Sequence, residues 1–302
     1  MRLLALFALL LLTPFHALAQ SKLDTAPRTA IISAFEPEWI ALGRTVTGKQ
    51  EWSVNGVRFI AGTMAGKPVL LFLSGVSMVN AAMTTQLALD RFTIRRIVFS
   101  GVAGGVDPGL DVGDVVVPDR WGQYLESVFA RADGKGYAPT EGLLDQPAFT
   151  PHGMIYPRSV LVRRDGTLQP ERRFWFDADP GLLAVARKVA RTTALARCRE
   201  TLCFARQPKV VVGGNGISGP VFMDNAEFRQ YAFAAFKAQA TDMETAAVAQ
   251  VAYANSIPYI AFRSLSDLAG GDPGKNQAHA FYRIASDNSA DVVTRFIDAL
   301  DP

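Results

Sequence analysis

Short apolar runs alternate with amphipathic stretches along most of the chain. "TAIISAF" (29–35) predicts a strand, and "EPEWIALGRTV" after it predicts a helix whose first turn holds Pro37, where a missing N–H costs little. "VRFIAGTMAG" and "KPVLLFLSG" predict two strands around a turn at Gly66 and Lys67, and "SMVNAAMTTQLALDRF" predicts an amphipathic helix. "RIVFSGVAGGV" predicts a buried strand running into a glycine-rich loop, "DVVVPD" (114–119) another strand, and "PKVVVGGNGISG" repeats the strand-to-glycine pattern. "QATDME" predicts a short strand, "TAAVAQVAYANS" a helix, "IPYIAFRSLSD" a strand, and a final helix spans roughly residues 276–300. This alternation implies an α/β fold: a single domain with a central mixed, mostly parallel sheet flanked by helices.

Two stretches depart from the pattern. The first is "MRLLALFALLLLTPFHALAQ": one positive residue, Arg2, an apolar run over 3–12 and the small residues "ALA" at 17–19. That is the layout of a secretory signal peptide, and the run is too short for a bilayer span of about 20 residues. Residues 1–19 are therefore expected to be a leader and 20–302 the domain, with a periplasmic or secreted destination. No later stretch is long and apolar enough to span a membrane. The second is residues 120–180, weakly periodic and rich in Pro, Gly and Asp. A stretch that long within a domain reads as an insertion with a purpose, here a lid or a subunit contact.

Charge excludes little beyond nucleic acid. Lys and Arg number 31 against 28 Asp and Glu, and losing Arg2 with the leader reduces the net charge from +3 to +2. The basic residues are scattered, and the basic spacing over 187–199 reads as a solvated helix face rather than an anion patch. The two cysteines, Cys198 and Cys203, are expected to form a disulfide in an exported chain. Outside the leader only His152 and His279 remain, too few for a His-rich metal site and a poor basis for a Ser–His–Asp triad. Neither a metal nor an organic cofactor is implied.

Ligands of α/β sheets sit beyond the carboxyl ends of the strands. Four acidic or glycine-rich features fall at such ends: Glu36 and Glu38, "SGVAGG" (100–105), "TDMET" (241–245) and "SLSD" ending at Asp267. Singly, each acid fits a helix cap or a first helical turn. Together they ask for a substrate with hydroxyls and a leaving group that needs a proton. Glu244 suits a vicinal ribose diol, Met243 offers a soft apolar floor, Asp267 can protonate a heterocycle nitrogen, and Glu38 can take a proton from water. Two carboxyl groups acting through an oxocarbenium-like transition state is the logic of glycoside cleavage.

At this point "SAFEPE", "SGVSMVNAA", "SGVAGGVDPGLDVGDVVVPD", "TDMETAAVAQVA" and "FRSLSDLAGG" together resemble the purine nucleoside phosphorylase/uridine phosphorylase superfamily, most of all its 5′-methylthioadenosine/S-adenosylhomocysteine nucleosidase branch. The resemblance covers about residues 30–118 and 209–300 and implies a nucleoside phosphorylase fold. It implies that Glu38 activates the attacking water, that Met243 and Glu244 bind ribose, and that Asp267 protonates N7 of the purine with Ser266 beside it. Val76 then lines the ribosyl pocket, Val102, Ala103 and Gly104 belong to the substrate-facing turn, and Phe222 and Met223 form the segment that stacks on the base. Arg263 matches a buried arginine supporting the acids, and Asp242 lies beneath the ligand as its partner.

The chain departs from the family where Val102 stands in place of a usual Ser or Thr, and along residues 120–180. The arginines that bind phosphate in the bacterial purine phosphorylases have no counterpart: Phe99 holds one such position, and strand one leads into Glu36 and Glu38. The expectation is an exported purine nucleosidase acting on an adenosine-type nucleoside, 5′-thio-substituted ones included, with water as co-substrate. No nucleic-acid partner is expected, and a homodimer or larger homo-oligomer is. A phosphate-dependent phosphorylase and a non-catalytic nucleoside-binding or storage protein stay open as alternatives.

Overall fold

The computed structural model describes residues 21–144 and 149–301; the predicted leader lies outside the described residues. Twelve strands join one sheet: β1 (Asp24–Ser33), β2 (Thr47–Val54), β3 (Val57–Met64), β4 (Lys67–Leu73), β5 (Phe92–Gly105), β6 (Val115–Val117), β7 (Arg120–Gln123), β8 (Trp175–Asp177), β9 (Val210–Val212), β10 (Asn215–Ser218), β11 (Ala238–Asp242) and β12 (Tyr259–Asp267). The helices are α1 (Glu36–Gly43), α2 (Met78–Arg91), α3 (Pro180–Ala190), α4 (Ala226–Phe236), α5 (Thr245–Ala254) and α6 (Ala278–Ala299). β1 runs parallel to β4 and β5, β5 to β12, β6 to β9, and β10 to β7 and β11. The antiparallel pairs are β2 with β3, β3 with β4, β5 with β11, β6 with β12 and β7 with β8. The sheet is thus mixed, with parallel pairings narrowly in the majority.

β5 is the hub. Its first part pairs with β1 and β12, and its last residues, Gly104 and Gly105, pair with β11. Ile97, Val98 and Phe99 are fully buried, as expected of a strand covered on both faces. The glycines that follow have a steric reason. A Cβ on Gly101 would come within 2.1 Å of Arg263 Nη1 and 2.3 Å of Glu38 Oε1. Glycine is needed there because two charged side chains lie across its Cα.

Residues 120–180 do not form a separate lobe. They supply β7 and β8 to the sheet, with short ribbons between, such as 127–129 against 155–157. Phe149 and Phe174 pack on Phe236 of α4, with Phe174 stacked on it at 5.5 Å, and Trp175 packs on both Phe149 and Phe174. Each such aromatic side chain contributes about 1.5–3 kcal/mol on burial. The segment is a buttress for α4 within the chain. Among the described residues of this segment, none lines the cavity that contains Glu38, Glu244 and Asp267.

The basic row over 187–199 is not one helix face, because α3 stops at Ala190. Arg197 instead donates to the carbonyls of Phe204 and Ala205, holding a small ribbon in which Cys198 and Cys203 face each other and are bonded, S–S 2.09 Å.

Candidate active site

Arg263, on β12, is fully buried and lies under the site. Its Nη2 is 2.7 Å from Asp242 Oδ2 and 3.9 Å from Glu244 Oε2, and its Nη1 is 3.8 Å from Glu38 Oε1. Nε and Nη2 also donate to Thr245 Oγ1, and the guanidinium stacks over Phe99 at 4.0 Å. Four strand ends meet here: β1 leads to Glu38, β5 brings Gly101, β11 brings Asp242, and β12 carries the arginine.

Asp242 is saturated from below. It accepts from Ser218 Oγ, Thr245 Oγ1 and the N–H groups of Glu244 and Thr245. It caps the start of α5 as much as it pairs with Arg263, and that explains one of the two acids flanking Met243. Glu244, the other, accepts the Ser77 N–H at 2.8 Å on Oε1. Ser77 adopts φ 78° and ψ 159°, a region glycine favours, at a cost of roughly 1–3 kcal/mol. The strain turns its N–H toward the carboxylate. Burial, then the charge of Asp242, raises the pKa of Glu244 to about 7 despite Arg263.

Glu38 sits in the first turn of α1 and is 2% exposed. It accepts the Ala34 and Phe35 N–H groups on Oε2, at 2.7 and 3.3 Å, and the Val102 N–H on Oε1 at 2.7 Å. Burial raises its pKa; Arg263 and the three N–H groups oppose the rise. Val102 has no side-chain hydroxyl and holds the Glu38 carboxylate through its backbone. Glu36, two residues away, is exposed and faces a neighbouring groove, so the paired-carboxylate reading of that turn is corrected to Glu38 alone.

Asp267 ends β12 and is 2% exposed. Oδ1 accepts Ser266 Oγ at 2.8 Å, and Oδ2 accepts the Ala269 N–H at 3.0 Å and Asn276 Nδ2 at 3.2 Å. Burial raises its pKa, and these donors only partly offset it. Gly104 leaves room for this group, since a Cβ there would stand 3.3 Å from Asp267 Oδ2.

A cavity of about 710 Å³ joins the two ends. Of the residues expected to bind substrate, Val76, Val102, Ala103, Gly104, Phe222, Met223, Asp242, Met243, Glu244 and Ser266 line it, as do Glu38 and Asp267. Arg263 does not; it acts from beneath, through the carboxylates. Phe35, Val221 and Tyr282 also line the cavity, and sequence reasoning passed over them. Phe35 lies inside the quoted "SAFEPE" but was given no role, and Tyr282 lies inside the last helix, where only packing shows which face turns inward. Its ring meets Phe35 edge-on at 5.3 Å. The site thus combines three buried acids, Glu38, Glu244 and Asp267, each with a raised pKa, and an apolar wall.

The model of the phosphorylase superfamily matches residues 28–298. A 5′-methylthioadenosine/S-adenosylhomocysteine nucleosidase of Tolumonas auensis is 29% identical over 90% of this chain and 100% of its own length, and one of Listeria innocua is 32% identical over 79% and 85%. The structure of the nucleosidase from Neisseria meningitidis in complex with methylthio-immucillin-A superposes with a TM-score of 0.67 at 26% identity, covering 90% of this chain and 99% of that one. The family model spans most of the chain, and the chain belongs to the phosphorylase superfamily.

Proposed function

We propose that the chain is a purine nucleosidase that hydrolyses the N-glycosidic bond of an adenosine-type nucleoside. Glu244 accepts the ribose hydroxyls over Met243, and Val76 faces the sugar. Phe222 and Met223 stack on the base. Glu38 removes a proton as water bonds to C1′. The C1′–N electron pair passes into the purine, and Asp267 supplies a proton to N7. The carboxylates favour the developing positive charge on the sugar. The apolar corner of Phe35, Val76 and Tyr282 suits an uncharged 5′ substituent, a thioether included.

One observation carries hydrolysis over phosphorolysis. The cavity is lined by four acidic side chains, of which Asp267 is the proton donor and the other three are carboxylates, and by no Lys, Arg or His among the described residues. A phosphate dianion near C1′ meets a repulsion of about 4 kcal/mol per charge pair at 4 Å and an effective dielectric of 20. Water meets none. The test is a panel of purine nucleosides, 5′-methylthioadenosine among them, in buffer with and without phosphate. Free base and free sugar without phosphate support the reading; a sugar 1-phosphate formed only with added phosphate overturns it.

Export to the periplasm or medium belongs to the same proposal, supported by the leader pattern and the disulfide. So does a homodimer or larger homo-oligomer, supported by Val79 and Met83 standing exposed along α2. Sequencing the N-terminus of the mature protein and light scattering in solution test the two.

A further inference from the structure

The loop between β12 and α6 carries a side chain that this reaction scheme leaves unused. Asn276 has all its polar atoms engaged. Oδ1 accepts the Ala278 N–H at 2.9 Å, which turns the amino end of the amide the other way. Nδ2 donates to Asp267 Oδ2 at 3.2 Å and to Asp224 Oδ1 at 3.1 Å. Asp224 directly follows Phe222 and Met223, and the same loop is joined to the β12 end by Asn225 N–H donating to Ala269 O at 3.2 Å. Where these loops meet there is no spare room: a Cβ on Gly270 would lie 2.2 Å from Asn225 N.

The two oxygens of Asp267 are consequently unlike. Oδ2 faces two N–H donors, from Ala269 and Asn276, and neither can become an acceptor. Among the described residues Oδ1 faces only the Ser266 hydroxyl, which lies 3.4 Å from Ala103 O and can turn to donate there, freeing its oxygen to accept. A proton on Oδ2 opposes two donors; a proton on Oδ1 has an acceptor waiting.

We propose that Asn276 is a positioning residue that makes Oδ1 the proton-bearing oxygen of Asp267 and, through Asp224, holds that acid in register with the Phe222–Met223 wall. The inference rests on the reading of Asp267 as the acid. In the step, the Oδ1–H bond breaks and an N7–H bond forms as the C1′–N pair enters the purine. Asp267 is left as a carboxylate facing the Ala269 N–H, Asn276 and the returning Ser266 hydroxyl.

The test is kcat/KM against pH on a purine nucleoside for Asn276→Ala, the isosteric Asn276→Asp and Asp224→Ala, with Asp267→Asn alongside and a melting curve for each. Loss of the Asn276 donor removes support for the carboxylate, so the alkaline limb moves to higher pH in Asn276→Ala and further in Asn276→Asp, which adds a like charge. The rate falls on the order of tenfold. Asp224→Ala, which cuts only the tie to the wall, raises KM and leaves the limb in place. If Asn276→Ala does not fold, the isosteric variant carries the test. An unmoved limb in folded Asn276 variants, with Asp267→Asn inactive, overturns the inference and spares the acid. A limb that moves in Asp224→Ala also overturns it. Full turnover by Asp267→Asn removes the acid reading itself, and the inference with it.

Discussion

At the end of the cavity proposed to hold the sugar, Glu38, Asp242 and Glu244 surround one guanidinium, Arg263. At the base end Asp267 is equally buried but is held by neutral donors alone: a hydroxyl, a backbone N–H and an amide. The difference suits the chemistry asked of each. A cation favours ionised carboxylates, as a base and a diol acceptor require. Neutral donors leave desolvation dominant, and the raised pKa that results is the direction an acid requires. The cation is shared unevenly. Asp242 has it at 2.7 Å, whereas Glu38 and Glu244 stand 3.8 and 3.9 Å away, and both of their pKa values are raised.

Removing the cation breaks the contrast most severely. Arg263→Met leaves three buried carboxylates without their counter-charge and is expected to cost about 3–5 kcal/mol of stability. Urea unfolding shows the loss deepening from pH 6 to pH 8, as Glu244 gives up its proton, and turnover disappears. A stability loss that does not grow with pH counts against the shared-cation account.

Neutralising the diol acceptor separates activity from stability. Glu244→Gln is expected to lower kcat by about 10²–10³-fold. The folded pKa of Glu244, about 7, lies above the ordinary 4.5, so its contribution to stability is fully present below pH 4.5 and is lost as pH rises through 7. The Gln variant, which has no charge to bury, therefore melts above the parent at pH 8 and not at pH 4.5. Equal melting at pH 8 would show that the raised pKa is absent.

At the base end, Asp267→Asn is expected to cost about 10²–10⁴-fold on purine nucleosides and less on a p-nitrophenyl riboside, whose leaving group needs no proton. In the parent, activity falls as pH rises through the raised pKa of Asp267 and as it drops through the raised pKa of Glu38. Equal losses on both substrates would place Asp267 outside proton transfer. The smallest effect lies away from both ends. Replacing Cys198 and Cys203 by Ala opens a short loop, costs at most about 2 kcal/mol and leaves kcat unchanged, since neither residue lines the cavity.

Much of this was legible along the chain. Periodicity marks β1, β3, β4, β5, β11, β12, α2, α5 and α6, because apolar alternation and helical spacing are local properties that burial merely selects. The acids at the strand ends were legible for the same reason: a polar residue closing an apolar run is visible without coordinates. β2, α3 and α4 were not called out, since β2 is largely exposed and its sequence, TGKQEWSV, has little alternation. The buttress over 120–180 was opaque because its pairings, such as Phe174 on Phe236, link residues remote in sequence.

By itself, then, the sequence determined the strand order along the chain, the family and the acidic corners Glu38, Glu244 and Asp267. Tertiary structure decided which acid of "EPE" turns inward. Glu36 and Glu38 are about 200° apart on a helix, so one of the two must face out, and the packing of α1 on α6 chose Glu38 for the interior. It also decided that Arg263 acts from beneath, that a strained Ser77 supplies its N–H to Glu244, and that Asn276 bridges Asp267 to the base wall. Each of these depends on direction and distance between segments far apart in the chain. Pattern records which residues are buried, but only the packed chain sets which atoms of those residues meet.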